Sequence, residues 1–168
     1  MPKIIENVRE MLLEEAAKQV RERGYAGTTI RSVALECGIA VGTVYNYFES
    51  KDMLIAAYMM RDWRGFLDTI DSHSAADAEE HMRLIYRCLK EYTELNQPLF
   101  RDAEAEKVYA TYHPRYHMHL RSQLSERILP LTRDGDVFVA DFIAEALLAW
   151  SAEGVSFEQL YAVIRKLI

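Results

Sequence analysis

An all-α chain opening with a helix-turn-helix is the fold class that three features of the sequence predict. Apolar residues return at three- and four-residue spacing along most of the chain, and no stretch alternates in the two-residue rhythm of a strand. Two short apolar stripes, one made of Ile30, Val33, Ala34 and Cys37 and the other of Val44 and Phe48, are separated only by a corner at Gly38 and Ile39. Downstream, the loop from Asp71 to Asp77, Pro98, the His113-Pro114 pair, Pro130 and the Asp134-Gly135-Asp136 turn cut the remainder into helical lengths.

Taken in order, residues 4–23 carry Ile5, Val8, Leu12, Ala16 and Val20 on one face and predict a long amphipathic helix that stops at Gly24, with Tyr25 closing the base of a small core. Thr29 is placed to cap the next helix, because its hydroxyl can accept from a first-turn N–H. Gly38 then permits the left-handed turn that ends it. The following helix, about Val41 to Tyr47, turns Val44 and Phe48 inward. That leaves Thr43, Tyr45, Asn46 and Tyr47 on other faces, which is more hydrogen-bonding and aromatic surface than a short solvated helix ordinarily spends. A nucleic-acid reader would use it.

Ser50 predicts the cap of a helix from Lys51 to about Ile70. Lysine in a first turn is electrostatically misplaced unless an anion is near, and free N–H groups beside a cation suit a phosphate. Gly65, inside this helix, is expected to mark a bend. Helical spacing resumes through Met82, Ile85, Cys88, Leu89 and Tyr92, then in a piece from about Leu99 to Tyr112 and another from Pro114 to Leu129. Two final helices are expected at about Val137–Ala152 and Ser156–Leu167.

Bulk composition narrows the function. The net charge is -6, and residues 1–55 hold seven basic side chains against eight acidic ones, so a phosphate partner requires a local positive face around Arg31 and Lys51. The longest apolar run, Leu54 to Met60, cannot span a bilayer, and the N-terminal residues lack a signal peptide's apolar segment, so a cytoplasmic protein with no membrane partner is expected. Cys37 and Cys88 read as reduced thiols among apolar neighbours, without metal-type spacing.

The first fifty or so positions also resemble the DNA-binding domain of the TetR family of bacterial transcriptional regulators. The resemblance rests on Leu12 and Leu13, Ala16 and Ala17, Gly24 and Tyr25, Thr28 and Thr29, Ala34, Gly38 and Ile39, Gly42 through Phe48, and Ser50 with Lys51. It implies a helix-turn-helix domain over residues 1–50 (motif about 29–48) and a helical ligand-binding and dimerisation domain over 51–168. The protein is then expected to be a homodimeric regulator, a repressor released from a palindromic operator by a small-molecule effector. By the same resemblance Arg31 reaches into the groove, and Thr29, Thr43, Tyr45, Tyr47 and Lys51 hold phosphates. Asn46 could do either, and Val41 and Gly42 complete the reading segment. Ala40 departs from the family's frequent capping Ser and Val41 from a commonly polar position, so Val41 is read against a thymine methyl. Val20 stands where the family usually has Phe, which predicts a slightly thinner core.

In the second domain, apolar width on the last two helices, including Phe142, Trp150, Phe157, Leu160, Tyr161 and Ile164, exceeds what one core needs and agrees with the family's two-fold helical interface. Aromatic crowding at Trp63, Phe66, Tyr86, Tyr92, Phe100, Tyr109, Tyr112 and Tyr116 suits an organic ligand between helices, as the family implies. His113 and His117 have a zinc-compatible spacing, but Pro114 puts His113 at a helix edge and no further ligand pair stands nearby, so no metal is expected. No cofactor motif and no nucleophile with its base is legible, which sets an enzyme aside. A helical adaptor with a degenerate motif is the alternative that the acidic balance leaves.

Overall fold

The computed structural model describes residues 7–109 and 113–168; the side chains of Tyr109, His113 and Pro114, and all of Tyr112, lie outside the described residues. Among the described residues ten α-helices follow one another: α1 Val8–Arg23, α2 Ile30–Glu36, α3 Val41–Tyr45, α4 Lys51–Ser72, α5 Ala78–Leu95, α6 Gln97–Phe100, α7 Ala103–Tyr109, α8 His113–Ile128, α9 Val137–Ala152 and α10 Phe157–Ile164. There is no strand among the described residues.

Packing divides the chain into two compact units, one of residues 1–65 with 95–109, the other of residues 66–94 with 110–168. The line therefore falls inside α4, directly after Gly65, and a segment far downstream joins the N-terminal unit. Through Gly65 itself α4 runs on as one helix.

In the N-terminal unit α1 supplies Leu12, Leu13, Ala16, Ala17 and Val20, all without solvent exposure, and these meet Ile30, Val33 and Ala34 of α2 and Val44 of α3 in a small buried core. The cap at Thr29 forms as the sequence predicts: its hydroxyl accepts from the Ser32 N–H at 3.0 Å, while the Ser32 hydroxyl accepts from the Thr29 N–H at 3.0 Å. Ser32 also donates to fully buried Gln19 of α1 at 2.6 Å, which pins the start of α2 to α1. At its other end α2 stops at Gly38, whose φ is 66°. Ile39 N–H reaches the Ala34 carbonyl and Gly38 N–H the Leu35 carbonyl, both at 3.0 Å, which satisfies carbonyls the helix would leave open.

The turn between α1 and α2 is equally constrained. Gly24 has φ 73°, and a Cβ on Gly27 would stand 2.5 Å from the Arg23 carbonyl oxygen. Such an atom can be admitted only by moving backbone. Gly27→Ala is expected to destabilise the chain by about 1–3 kcal/mol, the range for forced overpacking, read as a lowered urea midpoint at unchanged slope.

Two boundaries differ from the sequence expectation for physical reasons. The single helix expected from Leu99 to Tyr112 is broken, because Asp102 takes the N-cap position of α7 and accepts from the N–H groups of Glu104 at 2.9 Å and Ala105 at 3.1 Å. The recognition segment is helical only to Tyr45, with Asn46 and Tyr47 in the turn after it.

In the second unit α8 and α9 pack on one another and are joined by the short turns at Leu129–Leu131 and Arg133–Gly135, and Asp136 caps α9 by accepting from Phe138 and Val139. Ser156 and Gln159 form a reciprocal capping box at the start of α10.

Candidate nucleic-acid interface

The short α3 is anchored by Val44, fully buried, and by Phe48, 5% exposed, just beyond its end. This fixes which way the remaining side chains face. Tyr45 is 53% and Tyr47 47% exposed, Asn46 and Gly42 are also exposed, and Val41 and Thr43 are half-buried. From the start of α2, Thr29 and Arg31 are exposed as well. A Cβ on Gly42 would meet nothing within 4 Å, so its lack of a side chain serves no packing inside the chain and leaves backbone open to close approach. No side chain caps α3, as the alanine at position 40 leads one to expect.

Lys51 is placed differently from the other basic residues. Its ammonium donates to the Tyr25 carbonyl at 3.0 Å and lies 3.5 Å from the centre of the Tyr25 ring. The same tyrosine donates its hydroxyl to Asp52 at 2.5 Å. Burial and the hydrogen bond to Asp52 push the Tyr25 hydroxyl well above its usual pKa, so it remains a donor. Lys51 thus joins the start of α4 to the turn before α2, and any phosphate would meet an ammonium already held in place.

Several carboxylates of the N-terminal unit are already engaged. Glu10 accepts from Arg61 at 2.7 Å, Asp62 pairs with both Arg61 and Arg21, and Glu15 accepts from Gln19 at 2.8 Å. These carboxylates are engaged between α1 and α4 or along α1. Arg9, which sequence reasoning did not single out, stacks its guanidinium 5.5 Å from the centre of the Phe48 ring, at the end of the recognition segment. Its signal was spatial, since nothing in local spacing joins residues 9 and 48.

The residues expected at a ligand site are distributed over both units. Trp63 and Phe100 belong to the N-terminal unit, the first 1% and the second 50% exposed. In the second unit Phe66 meets Tyr92 edge-on at 5.9 Å, and the Tyr92 and Tyr116 hydroxyls share a 2.5 Å hydrogen bond. The Tyr86 ring packs on Phe157 at 5.7 Å and its hydroxyl donates to the Val155 carbonyl at 2.9 Å. Tyr109 and Tyr112 fall outside the described side chains. His117 lies on Glu145 at 2.9 Å.

The expected interface helices are likewise resolved into two kinds of residue. Phe157, Leu160 and Ile164 are buried inside their own chain, because the apolar face of the eight-residue α10 turns inward and Phe157 stacks between Tyr86 and Tyr161. Phe142 and Trp150 of α9 stay exposed, together with Phe138, at 78% the most exposed large apolar side chain, and Val163 of α10.

A fold of short helices that turns a polar and aromatic face outward defines a helix-turn-helix regulator, and comparison with known proteins gives the family. Residues 12–58 match the model of the bacterial regulatory proteins of the tetR family. The chain is 30% identical over 132 residues to the HTH-type transcriptional repressor Rv3405c of Mycobacterium tuberculosis, covering 74% of this chain and 69% of that protein. The chain belongs to the TetR family. Of two other regulators, matched over 54 and 62 residues, it spans only 24% and 28% of their length. Among solved structures the fold is similar to Salmonella enterica GusR, with a TM-score of 0.72 at 19% identity over 98% of both chains. It is also similar to the regulator FadR of Bacillus subtilis in complex with stearoyl-CoA, with a TM-score of 0.56 at 19% identity over 94% of both chains. No helix among the described residues is long and apolar enough to cross a membrane.

Proposed function

We propose that the chain is a homodimeric, sequence-specific DNA-binding regulator, a repressor that a small ligand releases from a palindromic operator in the cytoplasm. The outward face of α2 and α3 carries this reading. Thr29, Arg31, Thr43, Tyr45, Asn46 and Tyr47 are all left to solvent or half-exposed by helices whose apolar residues are buried. Two copies would place their α3 segments about 34–36 Å apart, one turn of DNA, in successive major grooves. The match to a repressor over most of the chain supports regulation rather than catalysis, and disfavours the adaptor alternative.

Arg31 is assigned to a base edge, where a guanidinium fork on guanine is worth about 1–3 kcal/mol of discrimination. Thr29, Thr43, Tyr45, Tyr47 and Lys51 are assigned to phosphates, Val41 to a thymine methyl and Gly42 to close backbone approach. Asn46 serves either. Arg31→Ala is therefore expected to flatten the preference among operator variants. Lys51→Ala is expected to weaken all sequences alike and also to lower the melting temperature, because it removes the contact with Tyr25, about 0.5–1 kcal/mol for an exposed cation over a ring. Gel shifts against a set of single-base operator variants check both, and parallel uniform losses would contradict the division.

Dimerisation is assigned to the exposed face of α9, Phe138, Phe142 and Trp150, with Tyr161 and Val163 of α10 beside it. Effector binding is assigned to the second unit around Phe66, Tyr92 and Tyr116, whose rings and paired hydroxyls offer apolar walls with polar tips. Helix α4 contributes residues to both units, so a ligand that favours one disposition of α4 would alter DNA affinity by its differential affinity for the two dispositions.

A further inference from the structure

The segment Leu95–Tyr109 lies more than forty residues beyond the recognition motif, yet it packs as part of the N-terminal unit, with α6 along α1. Asp102 is the residue by which this segment holds the motif. One carboxylate oxygen caps α7 through the N–H groups of Glu104 and Ala105. The other accepts from the Ala26 N–H at 3.3 Å, in the turn between α1 and α2, and stands 3.5 Å from where a Gly24 Cβ would be. The amides of Ala105, Ala26, Glu104 and Tyr25 hold its carboxyl below the usual range.

Two glycines, at 24 and 27, give the gripped turn a backbone that is costly to order, and besides Asp102 it is held by the Gly24 N–H on the Val20 carbonyl at 2.9 Å, the Thr28 hydroxyl on the Gly24 carbonyl at 2.9 Å, the Thr28 N–H on the Tyr25 carbonyl at 3.2 Å and the contacts of Tyr25 with Lys51 and Asp52. From this turn two elements of the DNA-reading surface start. Thr28 leads directly into the Thr29 cap of α2, and Tyr25 carries Lys51 and Asp52 of α4.

We propose that Asp102 is a positioning residue for DNA binding: it fastens the α7 N-terminus to the α1–α2 turn and so sets the start of α2 and the Tyr25–Lys51 contact. This rests on the DNA-binding reading above. Asp102 touches no DNA in this role. It makes the order of α7 and the geometry of the motif one property, so that a change in the 95–109 segment is felt at Thr29 and Arg31.

Asp102→Asn tests it cleanly. The amide oxygen of asparagine still caps α7, since Asn is as good an N-cap as Asp, but its NH2 group cannot accept from Ala26. Removing a negative charge would by itself strengthen attachment to phosphates, so a pure charge effect predicts tighter binding to every sequence. The proposal predicts the opposite for the operator, a loss of about fivefold with binding to unrelated DNA unchanged or slightly stronger. It also predicts a melting temperature within about 2 °C of the wild type, and amide hydrogen exchange at Ala26 faster by about tenfold. Exchange at Ala26 that is unaltered, or operator affinity that is unaltered or increased, would overturn it. A wild type that binds no fragment of its own promoter region would instead remove the underlying reading, and the exchange measurement, made without DNA, keeps the two failures apart.

Discussion

Phe138→Glu combined with Phe142→Glu is expected to yield a folded monomer whose operator affinity is at least about 100-fold below wild type, the scale on which joining two half-site contacts strengthens binding. Phe138 and Phe142 lie one helical turn apart on α9, 78% and 49% exposed, and Trp150, also exposed, lies about 80° further round the helix from Phe142. The opposite side of α9, Ala140, Ile143, Ala144 and Leu147, is wholly buried in the unit's own core. The helix is therefore apolar on two sides, and only one of them has a partner within the chain. Introducing carboxylates on the exposed side costs the monomer little, because Phe138 is largely and Phe142 about half open to solvent. In a dimer the same carboxylates would face their copies across the two-fold axis without compensating cations. Sedimentation or light scattering at micromolar concentration reads the oligomer and far-ultraviolet circular dichroism the fold. A variant that stays dimeric and binds operator normally would place the interface elsewhere.

Sequence alone made the local devices legible. The cap at Thr29, the left-handed stop at Gly38, the cap at Ser50 and the burial of Val44 and Phe48 each depend on residues within four or five positions of one another, which is the range over which spacing carries information. What spacing could not convey was partnership at long range. Lys51 was read as a phosphate ligand from its place in a first turn, yet its ammonium finds Tyr25, 26 residues earlier. Asp102 sits within a stretch of continuous helical periodicity, and its grip on Ala26, 76 residues away, belongs to a structure in which that helix is interrupted. On α10 the apolar width is visible but its direction is not: Phe157, Leu160 and Ile164 turn inward, and of these two helices α9 carries most of the exposed apolar surface, with Val163 alone from α10 beside Phe138, Phe142 and Trp150 among the large exposed apolar side chains described. The pairing of Glu10 and Asp62 with Arg61 and Arg21 leaves the acidic balance as it was, since each anion takes up a cation, so a phosphate partner still depends on how Arg31 and Lys51 are placed.

Trp63→Ala is expected to lower stability by about 3–5 kcal/mol, the range for truncating a large buried aromatic side chain. For a chain of 168 residues this corresponds to a melting temperature lower by about 6–20 °C. Trp63 illustrates how two readings of one aromatic residue separate. As one wall of a ligand site it would border space that a ligand fills and would be truncated at modest cost to the empty protein, with ligand affinity lost. In the structure it is 1% exposed on α4 and is the largest of the fully buried side chains. Arg61 and Asp62, its neighbours in sequence, are meanwhile engaged with Glu10 and Arg21 of α1. Removing the indole leaves a buried cavity beside α4, so operator binding should fail as the folded fraction drops near the lowered melting temperature and recover on cooling. A Trp63→Ala protein that melts within about 2 °C of the wild type would show that the indole borders open space, and would return it to the effector site.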